Sequence, residues 1–401
     1  MRLLVVSTIP PLRNVAPWIY VSGVIENMQK ALKNLGYNPE ISVWFSLNND
    51  VNIEEKPSYD SFFNYIDNRF SKFHELIFPA KNPYCARYYR RDFADSLCEV
   101  IKNLSPEFIL FANLPSAVYL EDIHKILPSK SKIILIEHNV ESLIMHELGI
   151  YGKDTIRRFI SRLKKKIVEN FEKQVLAQVD LVISISEYDK QYFVKHFGIK
   201  NDKILVIPPL FDFSTGLFNN LDEAQNIISF IGSMDWYPNI LGVHFFVENV
   251  LPKLIVKMED LKFYIVGRNP VPSIFKLQKK YPQNIIVTGT VDNVEKYYKM
   301  SDAIVIPIFT GSGAKIKVLE AIASGVPTVM TSFVAKDYDF KKEKLLIADT
   351  PEDFAEKIRC LLTNKDFAKE ISKNQEIIYQ DYITRKSKEV QEMLKRFFLQ
   401  K

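Results

Sequence analysis

Cysteine is scarce in this chain. Only Cys85, Cys98 and Cys360 occur in 401 residues, and no two stand in a Cys-x-x-Cys spacing. The six histidines form no cluster beside them. Neither a disulfide framework nor a structural zinc site is built on so few scattered ligands, and a reducing compartment, the cytoplasm, fits best. Long apolar runs are missing too: nothing reaches the roughly 18 uninterrupted apolar residues of a transmembrane helix. The opening MRLLVVSTIPP holds an apolar run, Leu3–Val6, too short for the core of a secretory leader, and it reads as a buried first strand. Charge of one sign is not in large excess. A net charge of +5 falls well short of a dedicated nucleic-acid binder, though it suits phosphate-bearing ligands or an anionic membrane surface. With 47% hydrophobic and 25% charged residues, disorder over most of the length is excluded.

What is present is an alternation of short apolar runs with helical periods, long enough for two domains of roughly 150–200 residues. In the first half, strands are predicted at Arg2–Ser7, Ile41–Phe45, Phe108–Ala112, Lys132–Glu137, Asp180–Ile185 and Lys203–Ile207. A helix over Tyr20–Leu35 repeats Val24, Ile25, Met28, Ala31, Leu32 and Leu35 on one face, and Gly36 suits its C-cap. The pattern restarts with strands at Ile227–Ile231, Lys262–Val266, Asn284–Thr288, Ala303–Pro307 and Thr328–Thr331. Helices separate them at Leu241–Lys257, Val294–Met300 and Lys315–Ser324, and a final helical stretch runs from about Pro351. Strands apolar throughout are buried on both faces, as in a parallel sheet covered by helices. The expected division is an N-terminal domain over 1–208, a linker over 209–223 and a C-terminal domain over 224–375. Residues 376–401 would form a helix packing back toward the first domain. The segment Asn48–Phe70 shows little periodicity and reads as a loop or insertion. Ligands of open α/β sheets bind outside the strand C-termini, so a cleft between two such domains is the default site.

One segment concentrates chemistry. After the strand ending at Pro307 come Gly311-Ser312-Gly313-Ala314-Lys315, then a helix carrying Lys317 and Glu320. Glycines let a backbone approach a ligand, and a helix N-terminus offers unpaired N–H groups to an anion. Lys315 and Lys317 add positive charge, and the Glu320 carboxylate can accept both hydroxyls of a ribose. A pyrophosphate-plus-ribose site is one reading. A plain structural turn with a solvated glutamate is the other, and Lys317 either faces the phosphate or merely pairs with Glu320 one turn on.

The C-terminal half resembles the GT-B glycosyltransferases, specifically the retaining group 1, family 4-like class. The resemblance runs through Phe230-Ile-Gly232-Ser-Met-Asp-Trp236-Tyr-Pro238-Asn239, Phe263-Tyr-Ile-Val-Gly267-Arg268-Asn-Pro270, Val287-Thr-Gly289-Thr-Val291 and Tyr297-Tyr-Lys-Met-Ser-Asp302, into Gly311–Pro327. It implies an α/β fold of two Rossmann-like domains facing across a cleft. By that resemblance Glu320 binds the donor ribose, and Gly232, Gly311, Ser312 and Gly313 border the donor. Two departures stand out. Ser312 occupies the place where the family carries a first glutamate. The stretch Ser233–Asn239 has no basic residue, so Arg268, Lys315 or Lys317 must supply positive charge to the diphosphate. In the N-terminal half, His138 ends a strand where the family places a histidine facing the donor sugar, and it is the expected catalytic residue. Gly23, closing the first loop Pro10–Ser22, is expected near the donor diphosphate, and Ser186 suits a helix N-cap.

The resemblance implies transfer of a sugar from a nucleoside diphosphate sugar to an acceptor hydroxyl, a saccharide or lipid-linked glycan, in glycan or cell-envelope polysaccharide synthesis. An epimerase or phosphorylase on the same fold and a non-catalytic nucleotide-sugar-binding subunit are the alternatives. No cofactor and no metal are implied. Asp337-Tyr338-Asp339 mimics a metal-binding Asp-x-Asp but reads as surface loop. Finally, Arg157-Arg158-Phe-Ile-Ser-Arg162-Leu-Lys164-Lys165-Lys166 is a basic helix. It reads either as peripheral contact with anionic lipid at the inner face of a membrane or as a solvated face, to which Glu169, Glu172 and Lys173 add.

Overall fold

The computed structural model describes residues 1–8, 16–45, 88–152, 155–210, 225–311, 316–340 and 345–399. The chain divides into two compact units. One takes in the described chain up to Leu210 and returns at Ser387; the other takes in the described chain from Gln225 to Lys386.

The first unit holds a six-stranded, all-parallel sheet of β1 (Arg2–Ser7), β2 (Glu40–Phe45), β3 (Phe108–Phe111), β4 (Lys132–Glu137), β5 (Leu181–Ser184) and β6 (Ile204–Val206). Their order is β2-β1-β3-β4-β5-β6. The chain therefore reverses its direction of travel across the sheet between β1 and β3. The strands are apolar on both faces because helices cover both. The helix Ala16–Asn34 buries Val21, Val24, Ile25, Met28, Ala31 and Leu32. Each of these side chains except Ala31 contributes about 1.5–3 kcal/mol when taken from water. Gly36 ends this region at φ 83°, a left-handed conformation that costs a glycine nothing.

The second unit repeats the scheme with β7 (Ile227–Ile231), β8 (Lys262–Val266), β9 (Ile285–Gly289), β10 (Ala303–Ile306), β11 (Thr328–Met330) and β12 (Leu346–Ile347). Its order, β12-β11-β10-β7-β8-β9, is also all parallel and reverses between β7 and β10. Inside the β7 end, the Asp302 carboxylate accepts the amides of Ile227 (2.8 Å) and Gln225 (3.0 Å). Asp302 is therefore a sheet clamp. The sequence predicts one helix over Leu241–Lys257. It begins earlier, at Tyr237, because Pro238 suits a first turn that needs no N–H. It widens to a π-turn over Phe246–Val250 just before Pro252, whose missing N–H breaks the regular ladder.

The C-terminal helix Lys365–Leu399 serves both units. In the second unit, Gln375 accepts the amide of Thr328 (2.8 Å) and donates to the carbonyl of Val326 (2.6 Å), pinning the start of β11. In the first, Gln391 donates to the carbonyl of Asn27 (3.0 Å), and the Phe398 ring stands edge-on to Phe108 with centroids 5.1 Å apart. Of the predicted segments, Asn48–Phe70 and most of the linker lie outside the described residues.

Candidate functional site

In the second unit the place where strand order reverses is the C-terminal end of β7 and β10, where open α/β sheets bind ligands. The turn after β7 and the turn after β8 meet there, backbone to backbone. The Gly232 amide donates to the Val266 carbonyl at 2.9 Å, and the Met234 amide to the Arg268 carbonyl at 2.9 Å. Gly267 has φ 156°, and a Cβ there would fall 1.8 Å from the Gly232 carbonyl oxygen, so no other residue fits. Gly232 faces a different neighbour. A Cβ on it would lie 2.7 Å from Lys317 Nζ.

Lys317 rises from the helix Ile316–Ser324, which follows β10. Its ammonium donates to Asn239 Oδ1 and sits 4.9 Å above the Phe230 ring. Asn239, buried on the Tyr237–Phe245 helix, donates through its Nδ2 to the Ser233 carbonyl at 2.7 Å. Asn239 thus ties the turn after β7 to the helix after β10. Glu320 follows one turn beyond Lys317. Its residue keeps some exposed surface, but the carboxyl end is enclosed enough that burial pushes its pKa up, against the pull of Lys317 and of the Tyr298 hydroxyl that donates to it. Tyr338, fully buried, lies within electrostatic reach of Glu320, and its hydroxyl has no partner among the described residues.

Gly232, Lys317 and Glu320 therefore converge on one spot. Arg268 sits on the neighbouring turn, exposed, its Nε donating to Ser233 Oγ at 3.2 Å. Gly311 lies against Pro238, whose Cγ would be 2.9 Å from a Cβ on the glycine. Ser312, Gly313 and Lys315 lie outside the described residues. Sequence reasoning missed Asn239, Tyr298 and Tyr338 as neighbours of this spot. The first two stand inside segments that carried the resemblance, but nothing in their type marks them. The Asp337–Asp339 stretch needs correction: Asp337 and Tyr338 are buried, not surface loop residues. Asp339 is exposed, and its carboxylate is taken by Arg385 at 2.6 Å and Lys386 at 3.0 Å.

In the first unit, His138 follows β4 and stands edge-on to Tyr20, with ring centroids 5.3 Å apart. Tyr20 is itself fixed by donating to the Ile207 carbonyl at 2.7 Å. The imidazole donates to the Pro17 carbonyl, and burial holds its pKa down at about 4, so it is neutral at pH 7. Nε2 is buried without a partner among the described residues, which leaves Nδ1 as the donating nitrogen and Nε2 as a free acceptor. Glu137, beside it, is 2% exposed, and its Oε1 likewise lacks a partner among the described residues. Burial, then the charges of Glu172, Glu141 and Asp189, drive its pKa well up. Glu172 is pushed up to about 8, chiefly by burial. It accepts the Glu141 amide (2.8 Å) and the Ser142 amide (3.2 Å) and hydroxyl (2.5 Å). Glu172 is completely buried, so its place on a solvated basic helix is corrected. The loop expected to close at Gly23 is corrected: Gly23 lies inside the Ala16–Asn34 helix. Ser186 does cap its helix, accepting the Asp189 amide at 3.1 Å.

Two family models match. Residues 225–364 match "Glycosyl transferases group 1" and residues 21–215 match "Glycosyltransferase Family 4". No curated protein sequence matches the chain. Among solved structures, sucrose-phosphate synthase from Thermosynechococcus elongatus superposes with a TM-score of 0.67 at 15% identity, covering 100% of this chain and 99% of its own. A glycosyltransferase from Rickettsia africae gives 0.62 at 15% identity with the same coverages, 100% and 99%. HepE of Anabaena, in complex with UDP and glucose, gives 0.62 at 11% identity, covering 98% and 99%. The two family models between them account for both α/β units, and the chain belongs to the GT-B glycosyltransferases of the group 1 and family 4 kind.

Proposed function

We propose that this glycosyltransferase moves a sugar from a nucleoside diphosphate sugar to the hydroxyl of a saccharide or lipid-linked glycan, with retention at the anomeric carbon. The product would enter glycan or cell-envelope polysaccharide, made in the cytoplasm. The carrying observation is the Lys317 ammonium, pressed against the Gly232 backbone at the strand-order reversal with Glu320 one turn away. Charge develops on the leaving diphosphate, and a fixed cation in a partly enclosed site stabilises it at little reorganisation cost. A helix terminus alone supplies only about half a charge. Glu320 accepts the ribose hydroxyls. His138, neutral and with a free Nε2 acceptor, is suited to receive a hydrogen bond from a sugar hydroxyl and unsuited to act as an acid. Arg268, Gly311, Ser312, Gly313, Lys315 and Gly23 complete the donor set. No metal is required in this scheme, because lysine and backbone amides do the work of charge stabilisation.

The HepE complex with UDP and glucose makes uridine diphosphate sugars the first donors to test. Thermal shifts against a panel of nucleoside diphosphates and their sugars read the donor, since a ligand of the native state stabilises it. NMR of the product's anomeric centre then reads stereochemistry. An inverted product would overturn the retaining assignment, and a panel without any shift would overturn the donor site.

A further inference from the structure

The helix Thr155–Gln178 uses its two halves differently. Val168, Phe171, Val175 and Leu176 of the second half are buried in the core of the first unit. In the first half the large apolar residues point the other way: Ile156 is 72% exposed, Phe159 61%, Ile160 42% and Leu163 59%. Their spacing, i, i+3, i+4, i+7, makes them one stripe. On the preceding helix, Glu141–Tyr151, Ile150 and Tyr151 are exposed as well. The two helices are locked together at close range. Arg162 donates through Nε to the Gly149 carbonyl at 2.9 Å, and a Cβ on Gly149 would lie 2.8 Å from Arg162 Cγ. At about 100° per residue, Arg158 and Lys165 lie roughly 150–170° from the centre of the apolar stripe and Arg162 about 110° from it. Lys164 and Lys166, both exposed, lie roughly 70–90° to either side of it. Thr155–Lys166 contains six basic residues and no acidic one.

We propose that this face lies flat in the headgroup region of an anionic phospholipid bilayer. The stripe enters the acyl boundary, and the two flanking lysines reach up to phosphates. Apolar residues bordered on both sides by lysine are what an in-plane helix presents to such a surface. A second copy of the chain is the poorer occupant, because protein interface cores are depleted of lysine and this stripe would bring Lys164 and Lys166 of both copies, four lysines, together across a two-fold axis. No described helix is long and apolar enough to cross a membrane, so this contact is one of docking, not spanning. The rigid anchoring of the second half in the core means the stripe is presented ready-made. The backbone of the stripe therefore need not fold on binding.

The test is co-sedimentation of the full chain with vesicles of phosphatidylcholine alone and with about one-third phosphatidylglycerol. Binding to the anionic vesicles should exceed that to neutral ones by at least about tenfold and fade with salt. Phe159→Ser with Leu163→Ser should lower it at least about tenfold more. These positions are exposed, so the melting temperature should hold. Nucleoside diphosphate binding should hold too, which separates this surface from the donor site. Equal binding of wild type and variant overturns the proposal. So does the absence of vesicle binding together with a concentration-dependent dimer, in sedimentation velocity, that the double substitution abolishes.

Discussion

Replacing Lys317 by Met keeps the aliphatic stem and deletes the ammonium, and the structure allows both consequences to be sized. Asn239, 3% exposed, loses the donor to its Oδ1. A buried acceptor left unpaired costs about 1–3 kcal/mol. The cation above Phe230 is lost too, worth about 0.5–1 kcal/mol. The sum is about 1.5–4 kcal/mol. With roughly 2–4 °C per kcal/mol for a domain of this size, the second unit should melt roughly 3–16 °C lower. If Lys317 also holds the diphosphate, a charge-assisted contact of about 1.5–3 kcal/mol disappears, and uridine diphosphate should bind roughly 10- to 150-fold more weakly by calorimetry. Asn239→Ala separates the two roles, for it removes the strut and leaves the charge; its melting temperature should fall similarly while affinity falls less. Lys315→Ala, two residues away in the chain, should do less than either. A Lys317→Met variant that melts lower as expected yet binds the diphosphate like wild type refutes the phosphate role and leaves Lys317 a structural strut.

Glu320→Gln should weaken nucleoside diphosphate binding, each lost charge-assisted hydrogen bond being worth about 1.5–3 kcal/mol; unchanged calorimetric affinity would remove the ribose assignment. Turnover should survive EDTA, and activity that stops with chelator and returns with Mn²⁺ would contradict the metal-free scheme. The first unit should lose stability as pH rises. The folded pKa of Glu172 is raised to about 8 and that of Glu137 is raised well above its ordinary value, so the native state holds protons that the unfolded chain releases near 4.5. Stability from this pair is present below that lower value and is lost as pH climbs through about 8. Melting temperatures from pH 6 to 9 should therefore fall in wild type and flatten in Glu137→Gln, and a rise would refute the buried-carboxyl account. His138 acts in the opposite direction at the acid end. With its folded pKa at about 4, its contribution is lost as pH drops from 6.5 through that value, a loss that His138→Phe should remove.

The sequence by itself determined the elements and the class. Runs such as Ile133–Ile136 and Phe108–Ala112 are apolar at every position, and only a parallel strand under two helical layers buries both faces, so eleven of the twelve strands among the described residues were legible to within a residue or two. The two-residue β12 was not, because so short a run has no period to read. Gly36 and Ser186 were legible because caps are local chemistry. Lys317 and Glu320 were legible as candidates because a glycine-lysine-glutamate pattern beside a strand end is a spacing in the chain, and Gly232 was legible only through the resemblance. The tertiary structure alone decided who their neighbours are. Asn239, 78 residues from Lys317, meets it only because strand order reverses between β7 and β10. Glu172 read as solvated among lysines, yet packing turned that half of its helix inward and set it against the Glu141 and Ser142 amides. The same helix shows why its Ile156–Leu163 stripe could not be read as exposed. Helical period tells which residues share a face, but only the packing of the whole unit decides whether that face meets the core or the outside.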